Sequence, residues 1–219
     1  MGSRVDGEGS ELMGLELVPA DEPLEMFRRL LADTAVELES ATYVEEWWLP
    51  SRGRLPVFDV EPLRAYAVEE ENRERLARLL ASYVRVVSGS VWERSRGRWR
   101  RRRYSELNPL DLAESGAFAR LGDLCLFRSG VFPESVAHQS LEPRHLGRLA
   151  QLLEADPGEL ARARDPFWEV EWIGAKAYLR AGESGVAGDF RRARRLLNRL
   201  TATRLFPIRE RWFQGGAPG

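Results

Sequence analysis

The densest chemistry in this 219-residue chain lies between Trp92 and Tyr104, where Arg94, Arg96, Arg98, Arg100, Arg101, Arg102 and Arg103 are interleaved with Trp92, Trp99 and Tyr104. Planar guanidiniums suit phosphate oxygens and aromatic faces suit unpaired bases, so this is the composition a contact with single-stranded nucleic acid would use. The competing reading is a polar loop or hairpin with Gly97 at its tip. There Arg94, Arg96, Arg98 and Arg100 would alternate onto one side, neutralised by acidic neighbours such as Glu69 to Glu71.

Glu37, Glu45, Glu46, Asp123, Glu134 and Glu171 are carboxylates that could converge between helices as in di-iron bundles, but no Glu-x-x-His motif accompanies them. The two histidines, His138 and His145, are separated by Pro143 and lack HExxH spacing, so no metal ligand and no cofactor is assigned. Cys125, the single cysteine, sits on an apolar helix face and reads as a small core residue, not a nucleophile. A Gly-rich phosphate loop, a G-x-S-x-G elbow, a Cys-x-x-Cys pair and internal repeats are all missing. Catalytic residues therefore stay unassigned, and an enzyme is the lesser expectation.

The elements that must position these groups read as helices. Asp21-Glu22-Pro23 signals a helix start, and Leu24, Phe27, Leu31, Thr34, Ala35 and Leu38 form its stripe, which ends at Ser40 or runs on to Trp48. Pro50, Gly53 and Pro56 make 49–60 a loop. A second helix starts near Glu61-Pro62 and carries Leu76, Leu79, Leu80, Tyr83, Val84 and Val87 at helical spacing. Asn108-Pro109 opens a short helix, and Leu146, Leu149, Leu152 and Leu153 mark another that ends at Asp156-Pro157-Gly158. A further helix starts at Asp165-Pro166 and ends at Gly182 and Gly185. The last runs from Asp189 to Pro207 with Arg191, Arg192, Arg194, Arg195 and Arg199 on a solvated face.

The organising segment is Leu121 to Glu134. Ala117, Leu121, Leu124, Cys125 and Arg128 fall at helical spacing, and Gly130 occupies the position of a left-handed C′ residue, with Val131 folding back on Leu126 and Pro133 preventing continuation. Asp123, a polar core candidate, either faces solvent beside Arg120 or is buried and hydrogen-bonded across to another helix. Gly174, Ala177 and Ala181 give the later helix a small-residue face, expected to meet the Leu121 to Arg128 segment closely.

Leu121-Gly122-Asp123, Leu126-Phe127 and Gly130-Val131-Phe132-Pro133-Glu134, followed by Ile173-Gly174-Ala175-Lys176-Ala177-Tyr178, resemble a group of uncharacterised all-helical bacterial proteins. In that group a GD…LF…G.FPE segment precedes a G..AY helix, and the resemblance spans Leu76 to about Leu200. It implies a helical fold and carries no activity onto this chain.

With 33 basic against 34 acidic residues the net charge is −1, so a nucleic-acid surface would have to be local. The fold expected is a single-domain all-α bundle of about six or seven helices over 21–213, with an N-terminal tail at 1–20, a flexible C-terminal tail at 214–219 and one Arg-rich loop or hairpin. A secretory leader and a membrane-spanning run are both missing, so a cytoplasmic protein with no membrane contact is expected. The leading functional reading is a binding protein acting through a partner protein. Seven tryptophans make an aromatic homodimer interface an option. The alternatives are a nucleic-acid-binding accessory protein using Trp92 to Tyr104 and a metal-dependent, di-iron-type helical enzyme.

Overall fold

The computed structural model describes residues 22–48, 53–84, 90–95, 98–103, 108–137, 142–156, 158–159, 166–207, 209 and 213. The tails expected at 1–20 and 214–219 lie outside them. Two hairpins interrupt a helical chain: α1 (Glu22–Ser40), β1 (Val44–Trp48), β2 (Gly53–Val57), α2 (Glu61–Val68), α3 (Glu70–Tyr83), β3 (Ser90–Ser95), β4 (Arg98–Arg103) and α4 (Pro109–Glu114). Then follow α5 (Phe118–Val131), α6 (Pro133–Ala137), α7 (Pro143–Leu152), α8 (Pro166–Arg180) and α9 (Ser184–Leu200), which passes into a π-helical turn at Thr201–Leu205. The fold is all-α and single-domain. Seven described helices have eight or more residues, and α4 and α6 are short additions.

The centre is the α5–α8 pair. A Cβ at Gly122 would stand 2.7 Å from the Tyr178 ring, and one at Gly174 would stand 2.9 Å from Cys125 Cβ and run into the Phe190 ring. Backbones approach closely there because neither glycine carries a side chain. Ala177 is buried in the same contact, whereas Ala181 is exposed and takes no part. Around this pair, Tyr83 stacks on Phe127 at 4.0 Å between ring centroids, and Phe213 packs edge-on to Phe127 at 5.3 Å and against Phe27 at 5.9 Å.

Helix ends are closed largely by side chains from other elements. Gly130 is not a left-handed cap; it lies inside α5, which runs on to Val131, and a Cβ there would meet Leu197 Cβ at 2.7 Å. The orphan carbonyls at this end accept instead from Asn198 Nδ2 (Ser129 O and Gly130 O, both 2.8 Å), Thr201 Oγ1 (Gly130 O, 3.2 Å) and Arg209 Nη1 (Val131 O, 2.9 Å). Similarly, Arg64 donates to Leu38 O at 2.8 Å and Ala41 O at 2.5 Å, ending α1 at Ser40. Arg73 donates to Ala67 O at 2.7 Å and Val68 O at 2.5 Å. With Glu69 extended at ψ 121°, those bonds split the single helix expected from Glu61 into α2 and α3.

Three other boundaries differ from expectation. Part of the loop expected at 49–60 is strand: Gly53–Val57 forms β2 and pairs with β1, where Val44, Trp47 and Trp48 favour strand over the helix continuation expected as far as Trp48. α3 stops at Tyr83, where Val84 bridges Phe213. α9 starts at Ser184, because Gly182 at φ 82° ends α8 alone and Gly185 is helical.

Candidate functional site

The Arg-rich stretch is an antiparallel ribbon in which Trp92 pairs Arg101, Glu93 pairs Arg100, Arg94 pairs Trp99 and Ser95 pairs Arg98. Two residues separate the strands, so the numbers of paired residues sum to an odd value, and even positions of β3 share a face with odd positions of β4. One face therefore carries positions Ser90, Trp92, Arg94, Trp99, Arg101 and Arg103, and the other carries Val91, Glu93, Ser95, Arg98, Arg100 and Arg102. This corrects the expectation that Arg94, Arg98 and Arg100 lie on one side. Arg96, Gly97 and Tyr104 lie outside the described residues.

Asp123 is placed by α5 in the wall of a 450 Å³ cleft that it shares with Arg75 and Arg78 of α3 and Arg120. Its Oδ1 accepts from the Tyr178 hydroxyl at 2.8 Å, and Arg120 Nη1 stands 3.5 Å from Oδ2. The bond across to α8 is the buried alternative, with Arg120 beside it on the solvent side. Burial pushes the Asp123 carboxyl above its ordinary value, against the pull of the Tyr178 hydroxyl and the Arg120 charge. Burial, reinforced by the Asp123 charge, raises the Tyr178 phenol. The Arg75 guanidinium covers the Tyr178 ring at 5.3 Å and pairs with Glu183, which closes the cluster. The Asp123–Tyr178 hydrogen bond ties α5 to α8.

Arg191, Arg192, Arg194 and Arg195 of α9 face carboxylates, and Arg194 is buried, contrary to the solvated face expected of it. Arg191 pairs with Glu171 at 3.0 Å, Arg192 with Asp189, Arg194 with Glu171 at 2.5 Å, and Arg195 with Glu46 of β1. Burial alone would raise the Glu46 carboxyl, but the Arg195 hydrogen bond and the Arg194 and Arg195 charges outweigh it and hold it below the ordinary value. The other carboxylates face arginines too: Glu37 meets Arg204, Glu45 meets Arg54 at 3.8 Å, and Glu134 meets Arg209. Among the described residues no three His, Cys, Asp or Glu side chains gather as metal ligands. His138 lies outside them. Burial pushes the Cys125 thiol up to about 12, which leaves it un-ionised and unreactive.

None of the family models, curated proteins or solved structures compared with this chain matches it. The functional reading thus rests on geometry. Among the described residues no helix is long and apolar enough to cross a membrane.

Sequence reasoning missed a 470 Å³ groove between α8 and α9, where Trp168, Trp172, Arg191, Arg192 and Asp59 meet over Gly188. The signal was present in the spacing: Trp168, Trp172 and Ala175 fall on one stripe of α8, and Gly188, Arg191, Arg192 and Arg195 fall on one stripe of α9.

Proposed function

We propose that this chain is a non-catalytic binding protein that holds single-stranded nucleic acid against one face of the β3–β4 ribbon. The register is the observation that carries the reading: Trp92, Arg94, Trp99, Arg101 and Arg103 share a face, and the acidic Glu93 belongs to the other. Alternating rings and guanidiniums supply stacking for bases and charge for phosphates without base-specific readout. With a net charge of −1, a nucleic-acid surface has to be local. A cytoplasmic setting goes with the proposal, since unpaired nucleic acid is met there and Cys125 is a free thiol.

The test removes three charges from either face. Arg94, Arg101 and Arg103 changed together to Ala should weaken binding of a labelled single strand by at least roughly tenfold, about one charge-assisted contact's worth. Arg98, Arg100 and Arg102 changed together should weaken it much less. Equal losses, or none, would contradict a face-specific site.

A second reading is supported by the first hairpin. Tyr43, Leu55 and Phe58 are exposed, and the Tyr43 and Phe58 rings lie 6.0 Å apart. A cluster of this kind suits a partner protein or a second copy of the chain. Light scattering would then give twice 25.0 kDa, reverting to the monomer mass in Phe58→Asp.

A further inference from the structure

The groove between α8 and α9 combines a flat ring, open space and two neighbouring guanidiniums. Trp168 is 42% exposed although it begins a buried helix, so an indole surface faces the solvent side of the groove. The floor is low because Ala175 is small and a Cβ at Gly188 would meet nothing within 4 Å. On the rim, the Arg191 and Arg192 side chains are 55% and 48% exposed, with Glu171 and Asp189 as partners. The Arg192–Asp189 pair is open to water and so weak and readily exchanged for a better anion. Glu171, only 12% exposed, holds Arg191 more firmly at the edge of the same site. Arg195, by contrast, is 16% exposed and committed to Glu46, and Glu171 also holds the buried Arg194. Asp59, exposed on the groove's third side, offers an acceptor to a hydroxyl or an amine.

We infer that this groove binds a mononucleotide, its base stacked on Trp168, its phosphate on Arg191 and Arg192, and its sugar hydroxyls or ring amine toward Asp59. A guanidinium matches phosphate oxygens two at a time, and base–indole stacking tolerates any base. This inference is independent of the β3–β4 ribbon, which belongs to a different element.

The experiment follows the seven tryptophan indole N–H signals of isotope-labelled protein by NMR during titration with adenosine monophosphate. Absence of one signal in Trp168→Phe assigns Trp168, and the corresponding Trp92 and Trp99 variants assign the ribbon. The Trp168 signal should shift and saturate. Arg192→Ala, or adenosine without its phosphate, should weaken binding roughly tenfold, as loss of one charged hydrogen bond does. Inorganic phosphate should compete poorly, because it cannot stack. A Trp168 signal that stays fixed up to about 10 mM, where even a millimolar site saturates, would overturn the inference. So would phosphate competing as well as the nucleotide. Shifts confined to Trp92 and Trp99 would also overturn it, while leaving the ribbon reading intact.

Discussion

Asp123 and Glu46 are both carboxyls beside arginines, yet their settings push them in opposite directions. At Asp123 burial wins over the Tyr178 hydroxyl and the Arg120 charge, and the carboxyl is raised. At Glu46 the guanidiniums of Arg195 and Arg194 win over burial, and it is lowered. The sign for stability follows from proton linkage. A lowered carboxyl stabilises above its unfolded value of about 4.3, and that contribution disappears as pH falls through the folded value. Glu46→Gln should therefore cost about 3 kcal/mol at pH 7, because it takes the carboxylate from half-buried Arg195 and leaves buried Arg194 with Glu171 alone, and less in acid. A raised carboxyl does the reverse: the folded state holds its proton more tightly, so stability improves as pH falls from above the folded value toward about 3.9. Asp123→Asn keeps an acceptor for Tyr178 and removes the buried charge. It should be at least as stable as the parent at pH 7 and lose that advantage in acid. Tyr178→Phe removes the hydroxyl from Asp123 Oδ1, leaving Arg120 alone beside the carboxylate, and should cost about 1–3 kcal/mol. Urea denaturation at neutral and acid pH measures all three, and equal pH profiles for parent and Glu46→Gln would contradict the assignment.

Between elements, close approach at glycine and capping by distant side chains decide the geometry. Gly174→Ala would drive a methyl into the Phe190 ring and toward Cys125, so a loss of about 1–3 kcal/mol is expected. Gly185→Ala, also helical but with nothing within 4 Å, should gain about 0.5–1 kcal/mol. Thermal melts of the two variants moving in the same direction would refute this packing.

The same elements show what was legible in the sequence. The apolar stripes of Phe27, Leu31 and Leu38 in α1 and of Leu76, Leu80 and Tyr83 in α3 are buried as their spacing requires. Gly174 meets the segment expected of it. Starts marked by Pro109 and Pro166 also coincide with helices, since proline at the first turn is a local signal. What could not be read is what depends on partners far along the chain. Gly130 looks like a cap until Asn198, Thr201 and Arg209 are seen doing that work, and the α2–α3 break depends on where Arg73 and Asn72 direct their donors. On the ribbon, a loop or a hairpin was expected and the strands are paired, but the sharing of faces follows from the two-residue separation, which sets the parity of the paired positions. The groove escaped notice because its two stripes lie on successive helices that each look merely amphipathic.

For the whole molecule, arginine is the dominant cation, and most of the described ones are spent on structure. They cap α1, α2 and α5, and they pair with Glu37, Glu46, Glu134 and Glu171. A surface neutralised in this way gives a net charge of −1 and little general affinity for polyanions, so binding must depend on few contacts. The central claim is that one face of the β3–β4 ribbon meets the phosphate backbone with Arg94, Arg101 and Arg103. The most direct measurement is fluorescence anisotropy of a labelled single strand titrated with the full chain across a salt series. Three phosphate contacts predict a slope of about −2 in log affinity against log salt. The slope should flatten toward zero when Arg94, Arg101 and Arg103 are replaced together by Ala. No binding even at low salt, or a slope that this triple replacement leaves unchanged, would contradict the account.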